Sequence, residues 1–382
     1  MKEKKMRLNL QARNRWEQIA VINAASTNTK YELPTQGGNL PMDRFIHSLH
    51  LRVRLRVTIP SASGPTAINA DAPYSLVDHV VVSGFHRLRG QREEIVNLRG
   101  PELYQLAKIY GQAAPYSVPA SLSITASATN DIDFYLPILF TPGKMPAFKQ
   151  DEWALDAPNY DSLKLEVYWG DEASIFTKGT NASTFSAYGS SSGSPEIRVY
   201  GKFYQAGLNL FRGFVPGRVF RYFTELTGSA MTTTATGVRL FNLPRGWRLR
   251  GIMLKAGVKA STTSGNNAYL SLTDTALANL NVYRGLNKSV RLYRDLIDMR
   301  QDLAGPYDNT LPSGYGLIDF VQYGMDEEIL DLRGLIAGPT GDVDCFVQGD
   351  VTGATNQAAL AVWEEWRYAA QVAQAVQAVQ RK

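Results

Sequence analysis

The chain has 382 residues, enough for two domains of ordinary size, and 44% of them are hydrophobic, which excludes a disordered polypeptide. A single cysteine, Cys345, excludes an intramolecular disulfide and a zinc site built from several cysteines. Net charge is +5, and residues 1–30 alone account for it with seven Lys/Arg against two acids; the neutral remainder is not the pattern of a general nucleic-acid-binding domain.

From the start of the chain, Met1–Arg7 is basic and no uninterrupted apolar segment follows it, so no secretory signal is expected. No run approaches the roughly 18 apolar residues of a membrane helix. Synthesis and assembly in a reducing cytoplasm are the expectation. Leu8, Ala12, Trp16, Ile19 and Ala20 recur mostly at three- and four-residue spacing, which predicts a short helix from near Leu8 through Ile22. Residues 49–59 then alternate without a break. Leu49, Leu51, Val53, Leu55, Val57 and Ile59 fall on one face, with His50, Arg52, Arg54, Arg56 and Thr58 on the other, as in a half-solvated antiparallel strand.

Further strands are expected at 74–82, 94–98, 121–127, 131–140, 160–169 and 196–203. Pro101–Tyr110 reads as a short helix with Pro101 in its first turn and Gly111 past its end. Residues 179–195, rich in Ser and Gly, read as an exposed loop. The second half repeats this order. Strands are expected at 238–240, 247–258, 269–272, 280–283, 317–323, 329–336, 343–348 and 358–368, with one helix, Val290–Leu303, about midway. Many short strands between turn residues, and few helices, predict an all-β chain of sandwiches or barrels. The Ala/Gln-rich tail, 371–382, is helix-compatible but marginal alone.

Catalytic groupings are weak. Among the four histidines, His47 and His50 are three apart, hence on opposite faces of a regular strand, and no H-x-H element occurs, so no metal site is expected. Gly189-Ser190-Ser191-Ser192-Gly193 matches G-x-S-x-G, but it lies in a Ser/Gly loop with Pro195 close behind rather than between a strand and a helix. Acid pairs at Glu93-Glu94, Asp151-Glu152, Asp171-Glu172, Asp326-Glu327-Glu328 and Glu364-Glu365 read as solvated. Trp363 and Trp366, with Trp169 and Trp247, read as core filling. The Arg52/Arg54/Arg56 stripe reads as paired with acids on adjacent strands or a neighbouring subunit rather than as a phosphate grip. No catalytic residue, cofactor or metal is expected, and the chain is not read as an enzyme.

Several segments resemble a known family. Phe45–Ile59, Leu76–Val82, the helix at Leu103–Tyr110, Asp131–Phe140, Leu163–Trp169, Val290–Ile297 and Leu360–Trp366 are similar in order and local pattern to the double jelly-roll major capsid proteins of tailless, internal-membrane-containing bacteriophages, a lineage related to adenovirus hexon. The resemblance spans about residues 31–370. It implies two consecutive eight-stranded antiparallel jelly rolls with short inserted helices: a basic arm at 1–30, a first jelly roll at 31–208, a second at 209–370, and a tail at 371–382. It also implies a homotrimeric, pseudo-hexagonal capsomer in an icosahedral virion shell assembled in the host cytoplasm, with neighbouring capsomers, penton and minor capsid proteins as partners and no sequence-specific nucleic-acid contact. The arm would touch the internal viral membrane or the virion interior through Lys2, Lys4, Lys5, Arg7, Arg13, Arg15 and Trp16. Two other readings remain. One is a carbohydrate-binding or carbohydrate-active β-sandwich, which requires Trp363 or Trp366 to be exposed beside an acid. The other is a different virion component such as a spike or penton.

Overall fold

The computed structural model describes residues 15–24, 28–33, 39–87, 90–111, 122–140, 154–204, 218–244, 248–260, 268–284, 289–321, 330–332 and 345–367. In the first half the strands are β1 (Arg15–Asn23), β2 (Thr29–Leu33), β3 (Phe45–Thr58), β4 (Ala67–Ile68), β5 (Val77–His86), β6 (Gln91–Leu98), β7 (Thr129–Leu139), β8 (Tyr160–Trp169), β9 (Phe176–Thr177), β10 (Thr184–Ser186) and β11 (Glu196–Tyr204), with helix α1 (Gly100–Ile109) between β6 and β7. In the second they are β12 (Arg218–Leu226), β13 (Ala235–Asn242), β14 (Arg248–Lys259), β15 (Tyr269–Leu272), β16 (Leu277–Arg284), β17 (Ser289–Asp295), β18 (Tyr315–Asp319), β19 (Leu330–Asp331), β20 (Cys345–Val351) and β21 (Gln357–Arg367), with helix α2 (Leu296–Leu303) between β17 and β18.

Set aside the short β4, β9, β10, β15 and β19, and each half has eight strands in one shared order. The first, eighth, third and sixth make one sheet: β1-β11-β3-β7, and again β12-β21-β14-β18. The second, seventh, fourth and fifth make the other: β2-β8-β5-β6, and again β13-β20-β16-β17. This is jelly-roll topology twice over, and in both halves the helix follows the fifth strand. The two halves are not wholly separate sandwiches. A parallel pairing of β12 with β6, Arg221 opposite Val96 and Tyr222 opposite Asn97, fuses a sheet from each half into one of ten strands. Every other pairing among the described strands is antiparallel.

Burial follows the sequence pattern. Along β3 the residues from Leu49 to Val57 alternate buried and half-buried, the apolar set inward. β14 is buried along almost its whole length, because its sheet is covered on both faces. Ile252, Leu254, Ala359, Ala361 and Trp363 enter the second core. Met253, Leu317, Leu360 and Val362 join the core of the first half. α1 begins at an extended Arg99, has Pro101 in its first turn, and is followed by Gly111 at φ +68°, where a left-handed residue ends the helix.

Four sequence expectations are corrected. The helix expected through Ile22 is, over Arg15–Asn23, strand β1, paired with β11 from Arg15 opposite Phe203 to Asn23 opposite Glu196. A bulge between Gln18 and Ala20 shifts its phase, so its apolar residues imitate helical spacing. The sheet thus begins inside the segment read as an arm. The helix expected over Val290–Leu303 starts only at Leu296. There Asp295 accepts the amides of Ile297 and Asp298, both at 2.9 Å, and Ser289–Asp295 is instead an edge strand on β16. Residues 122–127 form a turn rather than a strand: the Asn130 amide side chain clamps Ser123 through its N–H (2.6 Å) and carbonyl (2.9 Å). β12 was not anticipated, because Arg221 and Glu225 interrupt its apolar run. The expected boundary between the halves, most of the strand at 329–336, and the tail at 371–382 lie outside the described residues.

Candidate functional site

Of the seven residues read as an anionic contact, Lys2, Lys4, Lys5, Arg7 and Arg13 lie outside the described residues. Arg15 and Trp16 have their backbones in β1, opposite Phe203 and Lys202 of β11. The seven are therefore not gathered into a described site.

The other candidates resolve into structural roles. Arg52 and Arg56 each make bidentate pairs with β7, to Asp133 (2.9 and 2.7 Å) and Asp131 (2.8 and 2.7 Å), and Arg54 reaches Asp133 at 3.3 Å. Trp363 and Trp366 are 2% and 3% exposed and both belong to the second core, so neither offers a ring for stacking a sugar. His47 and His50 are not isolated from each other as strict alternation implies: both ring nitrogens reach the Ser48 hydroxyl, at 3.2 and 2.9 Å, beside a bulge between Lys202 and Phe203. Burial, with His47 and Lys202 nearby, lowers the His50 pKa to about 4. Ser191 lies between Gly189 and Gly193, both at positive φ, and among the described residues no cluster of three or more His, Cys, Asp or Glu could hold a metal. Cys345 is a buried free thiol in β20. Native labelling by a thiol reagent should be slower than labelling of the unfolded chain by more than about a hundredfold, since it requires local opening.

Among the described residues, an extended set of buried charged side chains forms a polar seam where the halves meet. α1 and its flanks, with Asp71, supply one side; β12, β14, β15, β18 and β21 supply the other. At one end Lys255 of β14 reaches Asp71 at 2.5 Å and Glu102 at 2.7 Å, its ammonium 4.2 Å from the centre of the Tyr269 ring, while Tyr315 donates to Asp71 at 3.2 Å. In the middle, Arg99 forks onto Glu225 at 2.9 and 3.0 Å, and Lys259 and Tyr269 approach the same carboxylate at 3.2 Å. At the far end Glu364 accepts from Arg221 at 2.6 Å, from Arg250 at 2.9 Å and from the Tyr110 hydroxyl. Arg221 also donates to the Leu139 carbonyl, and Arg250 reaches Asp319 at 3.5 Å. A β-bulge aims this last guanidinium: Gly251 keeps register with Glu364 and Arg250 is the extra residue.

The seam's formal charges cancel: Arg99, Arg221, Arg250, Lys255 and Lys259 face Asp71, Glu102, Glu225, Asp319 and Glu364. Burial alone would raise the pKa of Glu364 and of Glu225, but the guanidiniums beside Glu364, and Arg99 with Lys259 beside Glu225, outweigh it and hold both below the ordinary value. Asp71 goes the other way: its burial, with Glu102 close by, outweighs Lys255 and raises it. None of this network was read from the sequence, and the acids of Glu364-Glu365 are buried rather than solvated. One signal was present. Lys255 sits in the middle of Gly251–Val258, an otherwise uncharged run, and Glu364-Glu365 interrupts another, where a charge is tolerated only if paired.

No protein-family model and no curated protein matches the sequence. Solved structures do match over nearly the whole chain. The STIV MCP superposes with a TM-score of 0.62 at 16% identity, covering 93% of this chain and 98% of its own. The major capsid protein P2 from bacteriophage PM2 gives 0.54 at 11%, covering 93% and 97%. A chain of the PBCV-1 virus capsid gives 0.50 at 11%, covering 92% of each. At these identities the likeness is one of fold, and the fold is the double jelly roll.

Proposed function

We propose that this chain is the structural major capsid protein of an icosahedral virion, a subunit of a shell without a catalytic role. The observation that carries the reading is the internal repeat. Two jelly rolls of identical strand order stand side by side, locked by a charge-balanced buried seam, and the same two-domain arrangement spans more than 90% of the STIV and PM2 proteins. Two similar units per chain make three chains a closed ring of six, an outline that tiles a surface. Homotrimers, contacts with neighbouring capsomers and with vertex and minor proteins, and a place in the virion shell follow from this reading. The carbohydrate alternative loses its motivating feature, since both C-terminal tryptophans are core. Electron microscopy of particles from expressing cells should show a lattice of trimers. Soluble protein that remains monomeric at high concentration, with no lattice, would overturn the reading.

The basic segment belongs to the same proposal as an arm that contacts an anionic surface, the internal membrane ahead of the packaged genome. Each Lys or Arg near anionic lipid contributes about 1 kcal/mol, less as salt rises. Deleting residues 2–14, which stops short of β1, should leave the circular dichroism spectrum unchanged. It should reduce flotation with anionic liposomes at low salt and the yield of membrane-containing particles. Normal particle yield and flotation from the truncated chain would remove the arm from the proposal.

A further inference from the structure

We infer that Lys255 and Asp71 condense into an isopeptide bond, with Glu102 as the proton carrier, so that the two jelly rolls become covalently joined. The inference rests on the seam alone and is independent of the shell reading. Three elements hold the three groups together. Lys255 lies in β14, opposite Tyr315 of β18 on one side and Leu360 of β21 on the other. Glu102 is in the first turn of α1. Asp71 follows β4 in a link anchored to β15, where the Ala70 amide donates to the Tyr269 carbonyl at 2.9 Å.

The surroundings suit amide formation. Lys255 Nζ is 2.5 Å from Asp71 Oδ2 and 2.7 Å from Glu102 Oε1. Because Oδ2 is bonded to Cγ, the nitrogen stands next to the carbon it attacks. Tyr315 donates to the other Asp71 oxygen, Oδ1, at 3.2 Å, where charge gathers in a tetrahedral intermediate. Burial, with Asp71 and Glu102 beside it, holds the Tyr315 pKa well above its ordinary value and keeps this donor protonated. Glu102 Oε2 is buried and has no hydrogen-bond partner among the described residues, so the carboxylate has a lone pair open for a proton. A cavity of about 10 Å³ borders Asp71 and Lys255, room for about one water.

The reactant is protonated Asp71, the Lys255 ammonium and the Glu102 carboxylate. Burial of Asp71, with Glu102 close by, favours the protonated acid despite Lys255. Lys255 passes a proton to Glu102, and the freed nitrogen pair forms the C–N bond as the carbonyl pair moves onto Oδ1. Glu102 returns the proton to the Oδ2 hydroxyl, which leaves as water with the C–O pair. Glu102 then takes the second proton from nitrogen. The products are a neutral amide, one water and protonated Glu102; nothing is oxidised or reduced. The bond replaces a buried ammonium and carboxylate with a neutral group. It spans 184 residues and constrains the unfolded chain as a disulfide would, a service that the single Cys345 cannot provide within the chain.

The ion-paired chain is the freshly folded state, and the bond accrues with time. Denatured wild-type chain, after days of incubation in the folded state, should be lighter than its sequence by one water. Trypsin should release residues 57–87 joined to residues 251–259, with cleavage after Lys255 blocked. Asp71→Asn should give the same branched peptide with loss of ammonia in place of water. Glu102→Gln, with folding confirmed by circular dichroism, should keep its full mass, and Tyr315→Phe should slow bond formation roughly tenfold or more. Aged, folded wild-type chain at full sequence mass would overturn the inference. So would loss of water without the branched peptide, the mark of a succinimide at an aspartate.

Discussion

Replacing Lys255 with methionine is expected to destabilise the folded chain by about 3–5 kcal/mol, the range for removing one member of a buried ion pair. The ammonium is 1% exposed and stands between two carboxylates, Asp71 and Glu102, whose side chains are 3% and 0% exposed. Without it, one or both must take up a proton or stay buried and unneutralised. The combined variant Asp71→Asn, Glu102→Gln, Lys255→Met should recover most of the loss, because the cost lies in the unpaired charge and not in the absence of a salt bridge. Urea unfolding at one fixed protein concentration measures both, since association would shift the midpoint. A loss below about 1 kcal/mol for the single variant would mean that the seam is hydrated.

Acid should weaken the protein well before its carboxylates titrate. The folded pKa of His50 is lowered from 6.5 to about 4, so as pH falls the unfolded chain takes up this proton first. The stability it confers is full above about pH 6.5 and is lost progressively down to pH 4. At 1.36 kcal/mol per unit, the shift corresponds to about 3 kcal/mol. Below pH 4.5 the lowered values of Glu225 and Glu364 extend the decline, while Asp71 opposes it from its raised folded value down to the ordinary 3.8. Denaturant midpoints between pH 7 and pH 4 should therefore slope in the parent chain and flatten in His50→Gln. A parallel slope in the variant would assign the loss to other groups.

Local pattern carried most of the fold. The alternation of Leu49 to Val57 and of Leu163 to Trp169 named strands and faces together, because a half-buried strand has only one way to hide such a sequence. It failed where a bulge or a cap resets the phase. Gln18–Ala20 made β1 look helical, and the run Leu292, Leu296, Ile297, Met299 hid the change from strand to helix that the Asp295 side chain enforces. The seam was illegible for a different reason. Lys255 is 184 residues from Asp71, and Tyr110 is 254 from Glu364, so no window along the chain holds both partners. What could be read was that Lys255 had to be paired with something.

The sheet covered on both faces has a consequence for biosynthesis. The first jelly roll leaves the ribosome before β12, β14, β18 and β21 exist, and its α1 side then presents Glu102 and Tyr110 without Lys255, Arg250 and Glu364, their partners in the second half. The second cannot bury both faces of its sheet β12-β21-β14-β18 in isolation, since Met253, Leu317 and Val362 pack into the core of the first half. Nascent chains crowded on one polysome could therefore capture a neighbour's later strands as readily as their own. The charged side chains of the seam oppose that exchange poorly, being identical in every copy; the short path from Tyr204 to Arg218 opposes it well, by keeping each chain's second half within reach of its own first.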